Sequence, residues 1–241
     1  MTNFGRLLAA SILGGLLLAM GACAELQGQI NDSLAGAGGG LDEPTVAAGL
    51  KEALQVGTDR TVMKTSKVDG FLGNALIRIA LPDKYRSMAD TLRKLGFGRD
   101  VDQLETAMNR AAERAAGEAR PVFMDALRQM TLPDAFGILR GGDTAATDYF
   151  RAKTSDVLRQ KFRPVVTRSM EQAGLYRAYN RVVERYDKLP LVKHPALDLD
   201  DYVTDRTLSG LFTVLGQQER RIRQNPAART TELLKKVFGS R

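Results

Sequence analysis

Along most of the chain, apolar residues recur every three or four positions, the spacing of one buried helix face. Asp42 and Pro44 open a first such segment, with Val46, Leu50, Ala53 and Leu54 on one side and the pattern fading near Lys64. Pro82 and Asp83 open another, carrying Tyr85, Met88, Ala89 and Leu92 and closed by Gly96. Asp100 is placed to cap a long helix through Val101, Leu104, Met108, Ala111, Ala112 and Ala115. Pro121 kinks or interrupts it before Val122, Phe123, Ala126, Leu127 and Met130. Asp143 to Phe162 and Val165 to Ala173 then flank Pro164, with Gly174 as the stop. Tyr176, Tyr179, Val182, Val183 and Tyr186 mark the next helix, and Leu189 to Leu197, with two prolines, reads as a connecting loop. Asp198 opens Leu199 to Gln224, and Asn225-Pro226 starts a last helix that Gly239 ends.

The chain turns on itself between Met130 and Phe150. Thr131 and Asp134 have the spacing of a capping box, with Pro133 suited to a first turn. Gly141 and Gly142 end that short helix by accepting the left-handed conformation, and Asp143 or Thr144 caps the next. One stretch departs from helical spacing. Ile77, Ile79 and Leu81 alternate, a strand signal without an obvious partner. It is expected to be an extended arm, about residues 75–82, laid across the helices, with a small hairpin as the alternative. The expected fold is therefore all-α, a single multi-helix domain over residues 41–241 with one extended arm.

The N-terminus sets the compartment. Residues 1–22 have the layout of a signal peptide, with Arg6 ahead of an apolar run from Leu7 to Met20. That run, about 14 residues, falls short of the roughly 20 that span a bilayer. Met20-Gly21-Ala22-Cys23 is similar to a bacterial lipobox. The likeness implies cleavage before Cys23, which then carries a diacylglyceryl group and an N-acyl chain such as palmitate. Several acyl chains, at about 0.8 kcal/mol per buried methylene, hold a protein on a membrane stably. An ordinary cleaved signal with a coincidental cysteine is the plainer alternative. Ala24, where an aspartate would retain such a protein at the inner membrane, implies the periplasmic face of the outer membrane. Residues 23–40 end in a glycine-rich run and read as a flexible tether.

Composition narrows the chemistry. Cys23 is the one cysteine, so no internal disulfide, redox pair or cysteine metal site is available. The one histidine, His194, lies between Lys193 and Pro195 in a loop, and the sequence has no metalloprotease, nucleophile-elbow, phosphate-loop or calcium-loop motif. No catalytic residue, metal or cofactor is assigned. A net charge of +7 does not point to nucleic acid, because no recognition motif accompanies it in an exported protein.

Two polar groups are candidate ligand or network residues. Asn109, Arg110 and Glu113 share a helical face among alanines. They form either a solvated ion pair or, if buried together, a network able to receive an anionic ligand. Asp143, Thr144 and Thr147 stand at a helix start, where free amides cap themselves or bind an anion. Tyr176, Tyr179 and Tyr186 either line a groove or face the core. The basic, amphipathic stretch from Glu219 to Arg241 either packs on the domain or meets anionic lipid.

The order of Asp69-Gly70-Phe71, Arg78-Ile79 with Leu81-Pro82, Met108 to Glu113, Met130-Thr131, Gly141-Gly142, Ala145 to Thr147, Tyr149-Phe150, Tyr202 to Thr204, Gly210 to Phe212 and Pro226 to Arg229 resembles the bacterial domain of unknown function 4197. The likeness runs over about Gly49 to Gly239, with Ala80 where that family's arm carries proline. It implies an exported, mostly helical protein and brings no catalytic residues with it. The expected function is a non-catalytic envelope lipoprotein acting as a binding or structural module. An enzyme using Arg110, Glu113 and Asp143 in one cleft, and a carrier of a lipid or small amphiphile in an apolar cavity of several hundred cubic ångströms, are the alternatives.

Overall fold

The recurring apolar faces fold as eight helices among the residues that a computed structural model describes, 42–187 and 198–225. They are α1 (Glu43–Ser66), α2 (Asp83–Lys94), α3 (Gly98–Ala116), α4 (Ala119–Gln129), α5 (Leu132–Arg140), α6 (Ala145–Gln172), α7 (Leu175–Asp187) and α8 (Leu199–Gln224). No strand forms among these residues, and none of these helices is long and apolar enough to cross a membrane. Chain contacts divide Met1–Asp42 from a second unit, Glu43–Arg241, which holds all eight helices. The signal segment, Cys23, the tether, the loop with His194, and the helix expected after Asn225 lie outside the described residues.

Two helices hold the domain together. α3 packs on α1, α2, α6, α7 and α8, while α8 packs on α1, α3 and α6. α3 reaches so many neighbours because Ala111, Ala112, Ala115 and Ala116, all buried, let backbones come close. Between α4, α6 and α8, Phe123 meets Phe150 edge-on at 5.1 Å and Phe212 at 6.3 Å, an arrangement aromatic quadrupoles favour. α1 runs two residues past Lys64 because its buried face continues in threonine. The Thr61 and Thr65 hydroxyls donate to the carbonyls one turn back at 2.8 and 2.9 Å, which lets them enter an apolar interface.

Most helix ends follow the sequence. The Thr131–Asp134 capping box forms in both directions, and hydrogen bonds from the Thr131 hydroxyl and amide hold the Asp134 carboxyl below its usual range. Asp198 caps α8, and Gly96 and Gly174 close α2 and α6 with φ of 86° and 66°. Four expectations need correction. Asp100 does not cap α3, which starts at Gly98; it sits in the first turn and faces Arg181 and Arg185 of α7. Pro164 does not divide α6, because it lies on the exposed side, where solvent can take up the carbonyl it leaves unpaired. Gly141 is extended (φ −75°, ψ 176°), not left-handed. What it needs is room, since a Cβ there would stand 2.5 Å from that of Ala145. Nor does Asp143 or Thr144 cap α6 through its side chain; Thr144 holds the cap position, and the cap itself comes from elsewhere.

The arm is longer than its alternating residues suggest, running from Lys67 to Pro82 as turns through Ile77 and then extended chain. Asp69 adopts a left-handed φ of 62°, which aspartate tolerates better than most residues. A side chain at Gly70 would strike the Thr65 and Lys64 carbonyls at 2.5 and 2.6 Å. This tight reversal drives Phe71 and, further on, Ile77 onto the bare backbone of Gly210 in α8. A Cβ at Gly210 would lie 2.6 Å from the Phe71 ring, whereas one at Gly57 in α1 meets only Ile222, at 3.7 Å. Gly210→Ala should therefore lose about 1–3 kcal/mol in urea unfolding through overpacking. Gly57→Ala should be neutral or gain up to about 1 kcal/mol from helix propensity. Equal effects at the two positions would show that Phe71 is not seated on Gly210.

Candidate functional site

Where it is buried, at Phe71, Ile77, Ile79 and Leu81, an arm without strand partners must find acceptors and donors for its own backbone. α3 supplies them from Glu105, Asn109 and Glu113, three residues spaced one turn apart on one face. The amides of Phe71 and Leu72 donate to Glu113 Oε1 at 3.1 and 3.2 Å. The Ile79 amide donates to Asn109 Oδ1 at 2.9 Å, and Asn109 Nδ2 returns a bond to the Ile79 carbonyl at 2.7 Å. This pair imitates one rung of a β-ladder. Lower down, Glu105 Oε1 faces the Leu81 amide at 3.5 Å, while its other oxygen receives Arg78 at 3.3 Å. From α8, the Tyr202 hydroxyl donates to the Ala80 carbonyl at 2.7 Å. The alternating stretch is thus not a strand but an irregular segment whose backbone is paired with side chains.

Arg110 closes the upper end, donating to Glu113 Oε2 at 2.7 Å and to Asp69 at 2.8 Å. Hydrogen bonds from Arg110 to Glu113 first, and to Asp69 second, hold its guanidinium further above its already basic range. The i, i+3 ion pair read from the sequence is present, but Glu113 and Asn109 are 3% and 0% exposed. They form a buried network, and its partner is the protein's own backbone.

The second candidate group has an equivalent arrangement. Glu219 of α8, 7% exposed, aims its carboxylate at the start of α6. Its oxygens accept from the Ala146 and Thr147 amides, both at 2.9 Å, and from the Thr147 hydroxyl at 2.8 Å. Those are the amides the sequence offered to an outside anion, and a carboxylate already occupies them. Arg223, one turn on, pairs with Glu219 at 2.9 Å and donates to the Ile138 carbonyl at the end of α5. One Glu–Arg pair therefore fastens both sides of the Gly141-Gly142 corner. Asp143 receives Gln224 at 2.9 Å, and the Thr144 hydroxyl donates to Asp148 at 3.2 Å. Arg110 and Glu113 answer to the arm and Asp143 to α8, so these three share no partner.

Glu105, Glu219 and Arg223 escaped the reading of the sequence. Glu219 carried a signal nonetheless, since it falls on the apolar stripe Leu208, Leu211, Leu215 and Ile222 of α8. The tyrosines of α7 are anchors at the edge of the core. Tyr176 donates to Asp200 at 2.5 Å, which also receives Thr167 at 2.8 Å. Burial, then the bond to Asp200, pushes the Tyr176 hydroxyl well above its normal range. Burial, with Tyr179 alongside, pushes Tyr85 up to about 12.

Between α1, α6 and α8 the apolar space bounded by Leu50, Leu54, Leu215 and Ile222 measures about 20 Å³, room for little more than one water. Ligand sites usually run to roughly 300–1,000 Å³. No group of three or more metal-binding side chains occurs among the described residues.

The class this geometry defines is a helical domain with a side-chain-clamped arm. A family profile, "Protein of unknown function (DUF4197)", matches residues 40–239, and the chain belongs to that family. Neither a curated protein nor a solved structure matches it at a significant level.

The clamp can be tested directly. Asn109→Ala leaves the Ile79 amide and carbonyl buried without partners and should cost about 2–4 kcal/mol in chemical denaturation. Arg78→Ala removes only the half-exposed partner of Glu105 and should cost less than about 1 kcal/mol. A negligible loss for Asn109→Ala would mean that the arm is held by packing alone.

Proposed function

We propose that the protein is a non-catalytic lipoprotein of the bacterial envelope. Acyl chains on Cys23 hold it on the periplasmic face of the outer membrane, and its helical domain serves as a binding or structural module. The attachment is supported by the lipobox-like Met20-Gly21-Ala22-Cys23, the short apolar run before it and the glycine-rich tether after it. The observation that carries the module reading is how the buried acids are used. Glu113 and Glu219 each accept from two backbone amides and an arginine, and Glu105 faces an amide and two arginines. A general base or nucleophile must reach a substrate with a free lone pair in a cleft. These carboxylates instead fix an arm and a helix corner, which suits a domain whose surface does the work.

The test is fractionation of cells producing the full chain with Cys23→Ser. The expected result is a domain with unchanged far-UV circular dichroism that moves from the membrane pellet to the soluble fraction. Retention of the variant on membranes would show that the protein surface, not acylation, provides the attachment.

A further inference from the structure

Where α3 passes the junction of α6 and α7, the surface opens into a cleft of about 550 Å³. Its long wall is the outward face of α3, with Arg99, Gln103, Thr106, Arg110 and Arg114 at intervals of three and four residues. Arg99 and Arg114 stand roughly 22 Å apart along the helix at 1.5 Å per residue. Opposite are Ser169 and Ala173 at the end of α6, Gly174, Leu175 at the start of α7 and Arg181 midway along it. Ser169, Ala173 and Gly174 are small, so the charge and bulk of the lining come mainly from its arginines. Gly174, left-handed, lets the chain turn there, and the Arg177 guanidinium lies over it, 3.1 Å from where a Cβ would be.

The charges in this cleft are not all spent. Arg110 is committed to Glu113 and Asp69, and Arg181 shares Asp100 with Arg185. Asp102, the one acid of the lining, pairs with Arg93. Arg99, Arg114 and Arg177 have no carboxylate partner among the described residues; Arg114 has only a long 3.4 Å bond to Gln172. Elsewhere Arg86, Arg120, Arg128 and Arg163 pair with acids, while Arg140 and Arg151 lie over aromatic rings. Leaving several unpaired around one concavity keeps a local positive potential, which low-dielectric walls concentrate. The amides in the first turn of α7, which begins at Leu175, add to it.

We propose that this cleft binds a phosphate-bearing anion. Guanidinium forks match phosphate oxygens in pairs, and the separation along α3 suits a ligand with more than one anionic group. An acidic protein segment would also need apolar anchors, and the lining offers only Leu175, Ala107 and Ala173. The phosphate could belong to a lipid headgroup or be free in solution, and the chemistry of recognition is the same. This inference rests on the module reading above and names the class of ligand for it.

The experiment is calorimetric titration of the purified full chain in non-ionic detergent at low salt. The probes are inorganic pyrophosphate, dioctanoyl phosphatidic acid and a hexaglutamate peptide. Saturable binding of a phosphate probe is expected, weakened about tenfold or more in Arg99→Ala/Arg114→Ala. These two side chains hold no ion pair among the described residues, so the variant should fold normally, which circular dichroism checks. Arg120→Ala/Arg128→Ala removes the same charge from α4 and should leave binding within about twofold. Tighter binding of phosphatidic acid identifies a lipid headgroup, and tighter binding of pyrophosphate a free phosphate compound. Hexaglutamate binding best and losing affinity in the Arg99/Arg114 variant would replace the phosphate by an acidic protein partner. No saturable binding, or equal losses in both variants, would overturn the proposal. Because the titration is done in solution, its failure removes the ligand and leaves the Cys23 attachment to be judged by fractionation.

Discussion

A segment of chain that is neither helix nor strand has to satisfy its backbone polar groups some other way wherever it is buried, and that constraint shapes this domain. Residues Lys67 to Pro82 cross the helices with Phe71 and Ile79 fully buried. Each unpaired amide or carbonyl there would cost about 1–3 kcal/mol. Glu113, Asn109 and Glu105 meet that requirement from a single helix face, and Asn109 alone answers both polar groups of Ile79. Beside these residues α3 stays narrow, with the buried alanines Ala112 and Ala116 on the same face.

The same device appears twice. Glu219 does for the start of α6 what Glu113 does for the arm: a buried carboxylate receives two consecutive amides, with an arginine one turn or less away. Buried ion pairs contribute little net stability when compared with apolar packing, because desolvation offsets their attraction. Their effect here is positional. They select one path for the arm and one geometry for the corner between α5 and α6. The Gly141 and Gly210 contacts fit this picture, since both glycines remove a Cβ where an element presses closest.

Local signals were legible in the sequence, and distant ones were not. The capping box at Thr131, the cap at Asp198 and the stops at Gly96 and Gly174 depend on neighbours within a few residues, so spacing alone locates them. The helical faces follow from periodicity. Pro164 misled because the penalty of a helix proline depends on which side faces water, a tertiary property. The partners of Asn109 and Glu219 lie 30 and 72 or 73 residues away, and no spacing rule reaches that far. The residues Asn109, Arg110 and Glu113 could be picked out from the sequence as an unusual group, but their role could not. Glu219 was visible only as an acid on an apolar stripe.

The central claim is that buried side chains of α3 and α8 fasten the arm and the α5–α6 corner. Native-state hydrogen exchange, followed by NMR for individual amides, tests it most directly. The amides of Phe71, Ile79, Ala146 and Thr147 should exchange only through global unfolding, with the same free energy as amides inside α3 and α8. Exchange of Phe71 and Ile79 at rates typical of a surface loop, while α3 stays protected, would contradict the account.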